Sequence, residues 1–365
     1  MKKSGIFTQL VAGISFGSVL LLWASAGSVY VSPLHCRFLP LLGLAFPFFL
    51  TGTVLLLLFS LLFCCRAAWV PFVGLLLCYY PIRSYCPLNF NAAPPRGALK
   101  IMTYNTLGFA NQTKEDDGVS RTAAYIMRSQ PDIVFLQETW CKADFWEKSF
   151  QEPLRSAGYY VERCFFPGSS LTLVSRFPVA RQEVICKAGG NGAACFYIPM
   201  ADGDTLLAVN CHLTSMRLST ADRENFASNV NSLRNTEPES VHTSFFKDVA
   251  AKIARSSQSR AHQADSVADF LRRNASRRLL VCGDFNDTPV SYTCHTIRNA
   301  APLTDCFRAT GNGIGRSFNR NAMVVRIDHA LCADGWFKPY AARFDTECHL
   351  SDHYPLTFWL ENRRR

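Results

Sequence analysis

The first 96 residues of this 365-residue chain contain no aspartate or glutamate, and runs of Leu, Phe, Val and Ala dominate them. Three apolar runs follow one another closely, at residues 6–31, 38–64 and 67–81. A helix that spans a bilayer needs about 20 predominantly apolar residues, so the first two runs are long enough and the third is marginal. Nothing polar in these runs indicates an ion pathway, which argues against a transporter. Residues 1–88 are therefore predicted to form a membrane anchor of two to three helices.

The orientation of this predicted anchor depends on its basic residues. Lys2 and Lys3 favour a cytoplasmic N-terminus, and Arg66 lies where a short cytoplasmic turn would fall. Arg37 and Arg83 weaken that assignment. A cleaved signal peptide accounts for one apolar run but not for the two that follow it. We expect an integral membrane protein with three spans and an extracytoplasmic remainder, whereas two spans would place the remainder in the cytoplasm.

The remainder of the chain has a mixed, globular composition. A Pro/Gly/Asn-rich stretch at residues 89–97 is the predicted linker, and residues 98–365 form the predicted globular domain. Seven of the 38 basic residues lie in the first 100, so 31 remain against all 28 acidic residues. This near-balance argues weakly against wrapping a polyanion, although a local basic patch is left open. None of the 15 cysteines has the spacing of a zinc site, and their pairing is left open.

The globular part alternates short apolar runs, rich in β-branched and aromatic residues, with turn signals. Helices are predicted at residues 119–129 and 261–273, and residues 215–259 read as a polar, helix-leaning insertion. Many strands with few helices indicate an α+β fold in which two packed, mainly antiparallel sheets are flanked by helices. The predicted strands are residues 99–105, 133–138, 159–165, 171–175, 194–199, 206–212, 279–284, 326–332, 342–346 and 356–360.

Polar side chains lie where several of these strands end. Their carboxylate and amide oxygens suit Mg²⁺ or Mn²⁺, and their imidazoles suit proton transfer or phosphate binding. The chain has no GxSxG nucleophile elbow and no phosphate-binding glycine loop of the Walker or GxGxxG type. A metal-activated water that attacks phosphorus is therefore the predicted chemistry. The residues are Asn105, Glu138, His212, Asp284, Asn286, Asp328, Asp352 and His353.

Each of these residues alone also has an ordinary structural explanation. A glutamate at a strand end, such as Glu138, is usually solvated. Most histidines, His212 included, have no catalytic role. Asp284 and Asn286 suit a turn, where such side chains bond to the nearby backbone. The whole set at strand ends, rather than any member, predicts a functional site.

The ordered motifs TYN, LQET, GDFNDTP, RIDHAL and SDHYP resemble those of the endonuclease/exonuclease/phosphatase superfamily. The resemblance covers about residues 99–360, and GDFN together with SDH is its most specific part. It implies a four-layered α/β sandwich with the site on one rim. It also implies a divalent-metal-dependent phosphoesterase, either a nuclease or a phosphodiesterase/phosphatase, in which metal and an aspartate activate the attacking water.

The resemblance assigns three positions to the metal. Glu138 would be the principal ligand of Mg²⁺, or of Mn²⁺ in its place. Asn105 would help to hold the metal or its waters. Asp352 would be a nearby ligand of the metal or of a water.

Five further positions carry the implied catalytic roles. Asp284 would orient and activate the attacking water, aided by Asn286. His353 would contact the scissile phosphate, its ring oriented by Asp328. His212 would stabilise the pentacovalent phosphorus as a second imidazole.

Two departures and several alternatives accompany the resemblance. No acidic partner for His212 is evident, and residues 325–328 (VRID) lack the Trp-Cys-Asp-Arg pattern of inositol-polyphosphate phosphatases, which disfavours that activity. The predicted partners are a phosphate-ester substrate, from nucleic acid or a lipid headgroup, and the lipid bilayer, through the N-terminal helices. A sphingomyelinase-type headgroup phosphodiesterase and a catalytically inactive membrane receptor or scaffold remain alternatives. No obligate protein partner is inferred.

Overall fold

The computed structural model describes residues 5–90, 92–216, 241–320 and 324–363. The described residues up to 90 form five α-helices, of which two are long and apolar enough to cross a bilayer. These two are α1 and α3, with 22 and 18 residues. The helices are α1 (Ile6–Gly27), α2 (Leu39–Leu44), α3 (Phe46–Phe63), α4 (Trp69–Leu77) and α5 (Tyr79–Tyr85), with a 3₁₀ turn at Ser28–Tyr30.

The third predicted span is divided into α4 and α5, which meet at Cys78. Pro81 explains the division, because a proline has no N–H to donate and its ring clashes with the carbonyl four residues earlier, here that of Leu77. Neither piece reaches the length of a spanning helix. The third span is thus not among the candidate spans of the described residues.

Small and polar contacts hold α1, α3 and α4 together. The hydroxyls of Ser18 and Thr53 hydrogen-bond at 2.8 Å between α1 and α3. A Cβ on Gly74 of α4 would lie 2.4 Å from the Val19 side chain of α1, so only glycine permits this close approach. The Trp23 indole donates to the Gly74 carbonyl at 3.0 Å. Close packing through small residues is typical of helices in lipid.

Two six-stranded sheets form the rest of the structure, in the orders β11-β12-β1-β2-β4-β3 and β5-β6-β7-β8-β10-β9. Each sheet contains one parallel pair, β1/β2 and β7/β8, and its other pairs are antiparallel. The strands are β1 (Leu99–Asn105), β2 (Ile133–Gln137), β3 (Tyr160–Phe166), β4 (Ser169–Ser175), β5 (Arg181–Ala188), β6 (Asn191–Pro199), β7 (Thr205–His212), β8 (Arg278–Asp284), β9 (Leu303–Asp305), β10 (Asp328–Ala333), β11 (Phe337–Phe344) and β12 (Leu356–Asn362).

Helices cover the outer faces of both sheets, so the central strands are buried on both sides. The core between the sheets contains Phe135 and Phe196, both fully buried. On one outer face Val134 packs with Ile126, and on the other Val281 packs with Leu271. The helices of this part are α6 (Leu107–Gln112), α7 (Arg121–Ser129), a π-helix (Phe145–Gln151), α8 (Glu152–Ser156), α9 (Val241–Arg273), α10 (Tyr292–Arg298) and α11 (Cys306–Thr310). The predicted sandwich of two mainly antiparallel sheets between helical layers is confirmed.

Some elements differ from their predicted form. The edge strand β5 and the three-residue β9 were not predicted, because β5 is largely exposed and β9 is too short to show a pattern. β11 begins earlier than the predicted strand 342–346. The prediction left out Pro339 because a proline argues against a strand, but a proline is tolerated in an edge strand such as β11. The predicted helix 261–273 is the end of α9. Of the predicted insertion 215–259, residues 217–240 lie outside the described residues, and those from 241 onward are helical.

The predicted linker is docked onto the globular part. The Asn89 side-chain amide donates to the carbonyls of Arg308 and Gly311, at 3.1 and 2.6 Å. Val290, from the loop after β8, packs in one apolar cluster with Leu22 and Phe46 of the N-terminal helices. The two parts of the chain therefore share an interface at this end of the molecule.

Candidate active site

Strand ends from both sheets meet at one rim. Because β1 and β2 are parallel, their C-terminal ends bring Asn105 next to Glu138, which follows β2. The parallel pair β7/β8 sets His212 opposite Asp284. Asp328 begins β10 directly opposite Asp284, since these two strands are antiparallel. Register thus aligns the site residues within each sheet, and the packing of the two sheets brings the two groups together.

One amide joins the two halves of the rim. The Nδ2 atom of Asn105 donates to Glu138 Oε1 at 3.0 Å and to Asp284 Oδ2 at 3.1 Å. Its Oδ1 atom accepts from the Leu107 backbone N–H at 3.1 Å. Asn105 is buried, so these bonds are shielded from water.

A left-handed stretch of backbone positions Glu138. Its own φ is +53°, and α6 follows Asn105 with φ +47° at Leu107 and +60° at Phe109. Each non-glycine residue in this conformation costs about 1–2 kcal/mol. The Glu138 carbonyl accepts from the Gly108 N–H at 2.8 Å and from the Thr106 hydroxyl at 3.0 Å. Buried Phe109 packs against an aromatic cluster, so packing offsets the strain and fixes Glu138 at the rim.

Glu138 and His212 form an ion pair, with His212 Nε2 3.3 Å from Glu138 Oε1. Burial by itself raises the pKa of Glu138, but the His212 partner and the Asn105 hydrogen bond lower it to about 2. Burial lowers the pKa of His212, and Glu138 outweighs this and raises it. The Glu138 side chain is 24% exposed, which leaves this carboxylate open to a ligand.

A second neighbour of His212 is an amide. The Asn191 Nδ2 atom lies 3.3 Å from both ring nitrogens of His212 and donates to the Leu213 carbonyl at 3.2 Å. Asn191 begins β6 after a tight turn from β5. The acidic partner of His212 that was not evident in the sequence is Glu138.

His353 lies between two aspartates. Its Nδ1 atom is 2.8 Å from Asp328 Oδ2, and its Nε2 atom is 3.7 Å from Asp284 Oδ2. Burial lowers the pKa of His353, but the charges of Asp328 and Asp284 outweigh it and raise the pKa to about 10. Burial raises the pKa of Asp284 to about 6, against the opposing charge of His353. The Ser317 hydroxyl accepts from the Asp328 N–H at 3.2 Å and so helps to place this carboxylate.

The GDFN motif folds tightly around Asp284. Gly283 has φ +140°, and a Cβ there would lie 2.0 Å from the Cys211 carbonyl oxygen. Asn286 has φ +52°, and its N–H donates to Asp284 Oδ1 at 2.8 Å. Its side-chain amide donates to the Leu213 carbonyl at 2.9 Å. Asn286 therefore orients Asp284 through the backbone and ties the loop to β7.

Asp352 stands apart from the other seven predicted site residues. Its carboxylate pairs with Arg320, whose Nε atom is 3.5 Å away, and with the Ser351 hydroxyl at 3.4 Å. In the described part of the chain no hydrogen bond joins it to the rest of the set. Its charge acts on the neighbouring His353, whose pKa it helps to raise.

The donor set of the rim fits a hard divalent cation. Ligand atoms of Asp284, Asp328 and His353 all lie within 4.8 Å of one another, and the three residues are buried. Asp328 Oδ1 is buried without a hydrogen-bond partner among the described residues. A buried carboxylate oxygen of this kind is costly unless a cation or donor reaches it. With Glu138 nearby, carboxylate oxygens predominate, which is what Mg²⁺ and Mn²⁺ prefer.

Sequence reasoning missed a buried polar pair beneath the rim. Gln137 Nε2 donates to Asn210 Oδ1 at 2.7 Å, and Asn210 Nδ2 donates to the Leu136 carbonyl at 3.0 Å. Both side chains are fully buried and connect β2 to β7 across the core. A polar residue inside an otherwise apolar strand was the available signal. Trp140 was also missed: it is 47% exposed and lies over Gly108, beside Glu138.

The chain was compared with known proteins. The model of the Endonuclease/Exonuclease/phosphatase family matches residues 102–353, and a domain of unknown function (DUF8431) matches residues 8–85. No curated protein matches the chain. Among solved structures, the catalytic domain of human Nocturnin is similar at 17% identity and TM-score 0.50, covering 73% of this chain and 94% of that one. The AP endonuclease of Leishmania major is similar at 14% identity and TM-score 0.50, covering 78% and 95%. At these identities the likeness shows the fold.

Proposed function

This chain belongs to the endonuclease/exonuclease/phosphatase family, and we propose that it hydrolyses a phosphate ester with a divalent metal and a water activated by Asp284. The observation that carries the proposal is the Asn105 amide, which joins Glu138 and Asp284 across the two sheets next to two imidazoles. The family name covers both nucleases and phosphatases, so diester and monoester substrates both belong to the proposal.

Asp284 is the proposed base. Its carboxylate is ionised above its raised pKa of about 6, so at neutral pH it can accept a proton from water. The Asn286 N–H occupies its Oδ1 atom, which leaves Oδ2 facing the centre of the rim. Asn286 is in this view a positioning residue for the base.

The two imidazoles are the proposed phosphate contacts. With a raised pKa, His353 is protonated at neutral pH, and its Nε2–H can donate to a phosphate oxygen while Asp328 holds Nδ1. Glu138 pairs with His212 and raises its pKa, which favours the protonated form of this second imidazole. Fixed donors aimed at oxygens that gain charge lower the barrier, since they need no reorganisation during the reaction.

The residues proposed to hold the metal are Glu138 and Asn105, with the Asp284 and Asp328 carboxylates nearby. A bound Mg²⁺ or Mn²⁺ would offset the negative charge that develops on the phosphate. Asp352 remains a predicted ligand of the metal or of a water, although its carboxylate pairs with Arg320.

We also propose that α1 and α3 anchor the protein in a bilayer. Both helices expose most of their large apolar side chains, and less than a quarter of each span is buried. In this proposal residues 1–88 are the anchor, 89–97 the junction and 98–365 the catalytic domain. The side of the membrane on which the domain lies is left open.

Two substrate classes are each favoured by one observation. Exposed Trp140 beside Glu138 can stack on a nucleobase, which favours nucleic acid. Against this, the loop that carries Asp284 and Asn286 continues to Val290, which packs among the N-terminal helices. The rim therefore lies close to the anchor, which favours a lipid headgroup.

The test uses the full-length protein in detergent or nanodiscs, with DNA, RNA, sphingomyelin vesicles and nitrophenyl phosphate mono- and diesters, with and without EDTA. We expect EDTA to abolish turnover and Mg²⁺ or Mn²⁺ to restore it. Asp284→Asn should reduce turnover by about a thousandfold, the scale of losing a group that stabilises the transition state. Asp269→Asn, on the exposed face of α9, is the matched control. Unchanged turnover in Asp284→Asn would reject the assigned role.

The inactive-scaffold alternative is tested by metal binding. The proposed enzyme binds Mg²⁺ in a manner that depends on Glu138, which isothermal titration of wild type and Glu138→Gln measures. If neither turnover nor Glu138-dependent binding is found, the scaffold alternative replaces the proposal.

A further inference from the structure

A cavity of about 570 Å³ lies where the N-terminal helices meet the globular domain. The Tyr30 and His295 rings contact each other edge to face, with centroids 4.7 Å apart. The cavity is thus bounded on one side by the predicted anchor and on the other by α10. Its wall includes Trp23, Tyr30, Tyr80, Val290, His295 and Arg298.

Arg298 places a guanidinium group in the wall of this cavity. The residue is 8% exposed, and its Nε atom is buried with no hydrogen-bond partner among the described residues. Its guanidinium carbon lies 5.4 Å from the centroid of the Tyr80 ring. No carboxylate of the described chain pairs with it within salt-bridge distance. Arg298 is therefore a nearly buried cation that lines the cavity, and Asp305, the carboxylate whose charge acts on it, lies beyond salt-bridge distance.

Two further guanidinium groups lie behind this wall. Arg308 also contacts the Tyr80 ring, at 4.5 Å, and Arg326 donates to the Ser84 carbonyl. Nitrogen atoms of both are buried without acceptors in the described part of the chain. Burial raises the pKa of Asp305, but Arg326 and its other partners lower it, so this carboxylate is ionised and offsets one of three positive charges.

Buried N–H groups of these three arginines have no hydrogen-bond acceptor among the described residues. Buried N–H groups of a guanidinium are costly unless they are hydrogen-bonded, and a buried charge is more costly still. A phosphate oxygen in the cavity would supply both the acceptor and the negative charge. The first 96 residues cannot supply the negative charge from a side chain, because they contain no acid.

The position of the cavity identifies the source of that phosphate. Trp23, Tyr30 and Tyr80 surround it at the end of the apolar helices, and such aromatic residues are enriched at membrane–water interfaces. Basic pockets between spanning helices bind anionic lipid headgroups. On the proposal that α1 and α3 cross the bilayer, the cavity opens at the depth of the headgroups.

We propose that this cavity binds the phosphate of an anionic phospholipid headgroup, with Arg298 as its main ligand. The site is separate from the catalytic rim and does not require hydrolysis. The lipid would join the anchor to the domain, since one wall belongs to each. It would also contact the end of the loop that carries Asp284, because Val290 lines the cavity.

Binding is measured on the full-length protein in a non-ionic detergent containing EDTA, so that metal-dependent turnover does not contribute. The probes are dihexanoyl-phosphatidylglycerol, dihexanoyl-phosphatidylcholine and inorganic phosphate, and native mass spectrometry gives the affinities. We expect wild type to bind phosphatidylglycerol at least about tenfold more tightly than phosphatidylcholine, and Arg298→Gln to lose about tenfold, as expected for one charged hydrogen bond. Arg298→Lys should retain the preference in part, and Arg272→Gln, on the exposed face of α9, should match wild type.

Equal affinity of wild type for the two lipids would overturn the proposal, and this comparison holds even if Arg298→Gln does not fold. Unchanged lipid binding by a folded Arg298→Gln variant would overturn it as well. Inorganic phosphate that binds as tightly as phosphatidylglycerol would show a site for a free anion instead of a lipid. Because EDTA is present, none of these outcomes depends on whether the rim is catalytic.

Discussion

The N-terminal helices and the α/β domain distribute polar and apolar side chains in opposite ways. In the helices, Ser15 and Thr53 are fully buried, whereas Leu55 is 60% and Leu62 77% exposed. In the domain, side chains such as Phe196 are fully buried, and charged residues cover the surface. This distribution supports the proposal that the helices lie in a bilayer, because a lipid phase accepts exposed apolar side chains that water does not.

The contrast is weakest at the rim. There the domain buries acids and imidazoles, such as Asp284, Asp328 and His353, at the edge of its core. Burial of charged groups costs free energy unless they are paired, and pairing across the two sheets offsets only part of that cost. Substitutions in one region should therefore change that region and leave the other unchanged.

The largest expected effect concerns the rim. Glu138→Gln keeps the shape of the side chain and removes its charge, so turnover should fall by about 10²–10³ because positive charge is no longer held at the phosphate. Membrane retention of the protein should not change. Glu347→Gln, on the exposed surface, is the matched control. Steady-state kinetics on membranes measures the effect, and a turnover within twofold of wild type would contradict the role of Glu138.

The second effect compares one aromatic residue from each region. Phe196→Ala removes a fully buried ring between the two sheets and should lower the free energy of unfolding by about 3–5 kcal/mol. Phe59→Ala, in α3 with 39% of the residue exposed, should cost much less because its ring faces the surroundings of the helices. Urea unfolding in detergent measures both. Equal costs would show that the helices have a water-excluding core like that of the domain.

The third effect tests the surroundings of the helices. Leu55→Lys places a charge near the centre of α3, which should cost about 2.5–3.5 kcal/mol if this position faces lipid. The carbonate-resistant membrane fraction should therefore fall. Tyr160→Lys, on an exposed strand of the domain, is the control and should leave that fraction unchanged. Full retention of the Leu55→Lys variant would argue that α3 does not cross a bilayer.

The smallest expected effect is a dependence of the stability of the domain on pH. Burial and the nearby Arg326 lower the pKa of His329 to about 4, and its ring nitrogen is 2.9 Å from the Asp287 carbonyl. His329 is neutral in the folded protein. Its contribution to the free energy of unfolding is therefore complete above the unfolded pKa of about 6.5 and is lost as the pH falls toward 4. Stability should fall by about 2 kcal/mol between pH 7 and pH 5 from this residue.

His329→Gln should remove that part of the acid sensitivity. Urea unfolding at pH 7 and pH 5 measures it, with wild type and variant compared at each pH. An acid sensitivity that is the same in both proteins would show that other groups cause it.

Much of the fold was predictable because its signals are local. Runs such as residues 133–137 and 279–284 are apolar and β-branched, and they form β2 and β8 as predicted. The family was predictable because its motifs lie at strand ends. The left-handed turn of α6 was not, since Leu107 and Phe109 carry no local preference for positive φ. Tertiary packing of Phe109 imposes this conformation.

The candidate site shows the same division. The residue types at strand ends predicted which side chains would matter, but not which of them would meet. Asn191 could not be predicted as a neighbour of His212, because only the β6–β7 register sets them side by side. The third apolar run was likewise predicted as one span from its length, whereas in the structure it is divided at Cys78 into two helices, a break that Pro81 explains. The catalytic and metal-binding roles themselves remain predictions.

From the amino-acid sequence alone one can infer an apolar, acid-free segment that precedes a two-sheet domain with carboxylate, amide and imidazole residues at its strand ends. This inference is possible because hydrophobic runs, turn residues and motif order are properties of neighbouring positions. The bridge from Asn105 to Glu138 and Asp284, and the place of Arg298 at a cavity between the helices and the domain, are visible only in the folded chain. Such contacts join residues far apart in the chain, and sheet register together with burial selects among the partners that the sequence leaves open.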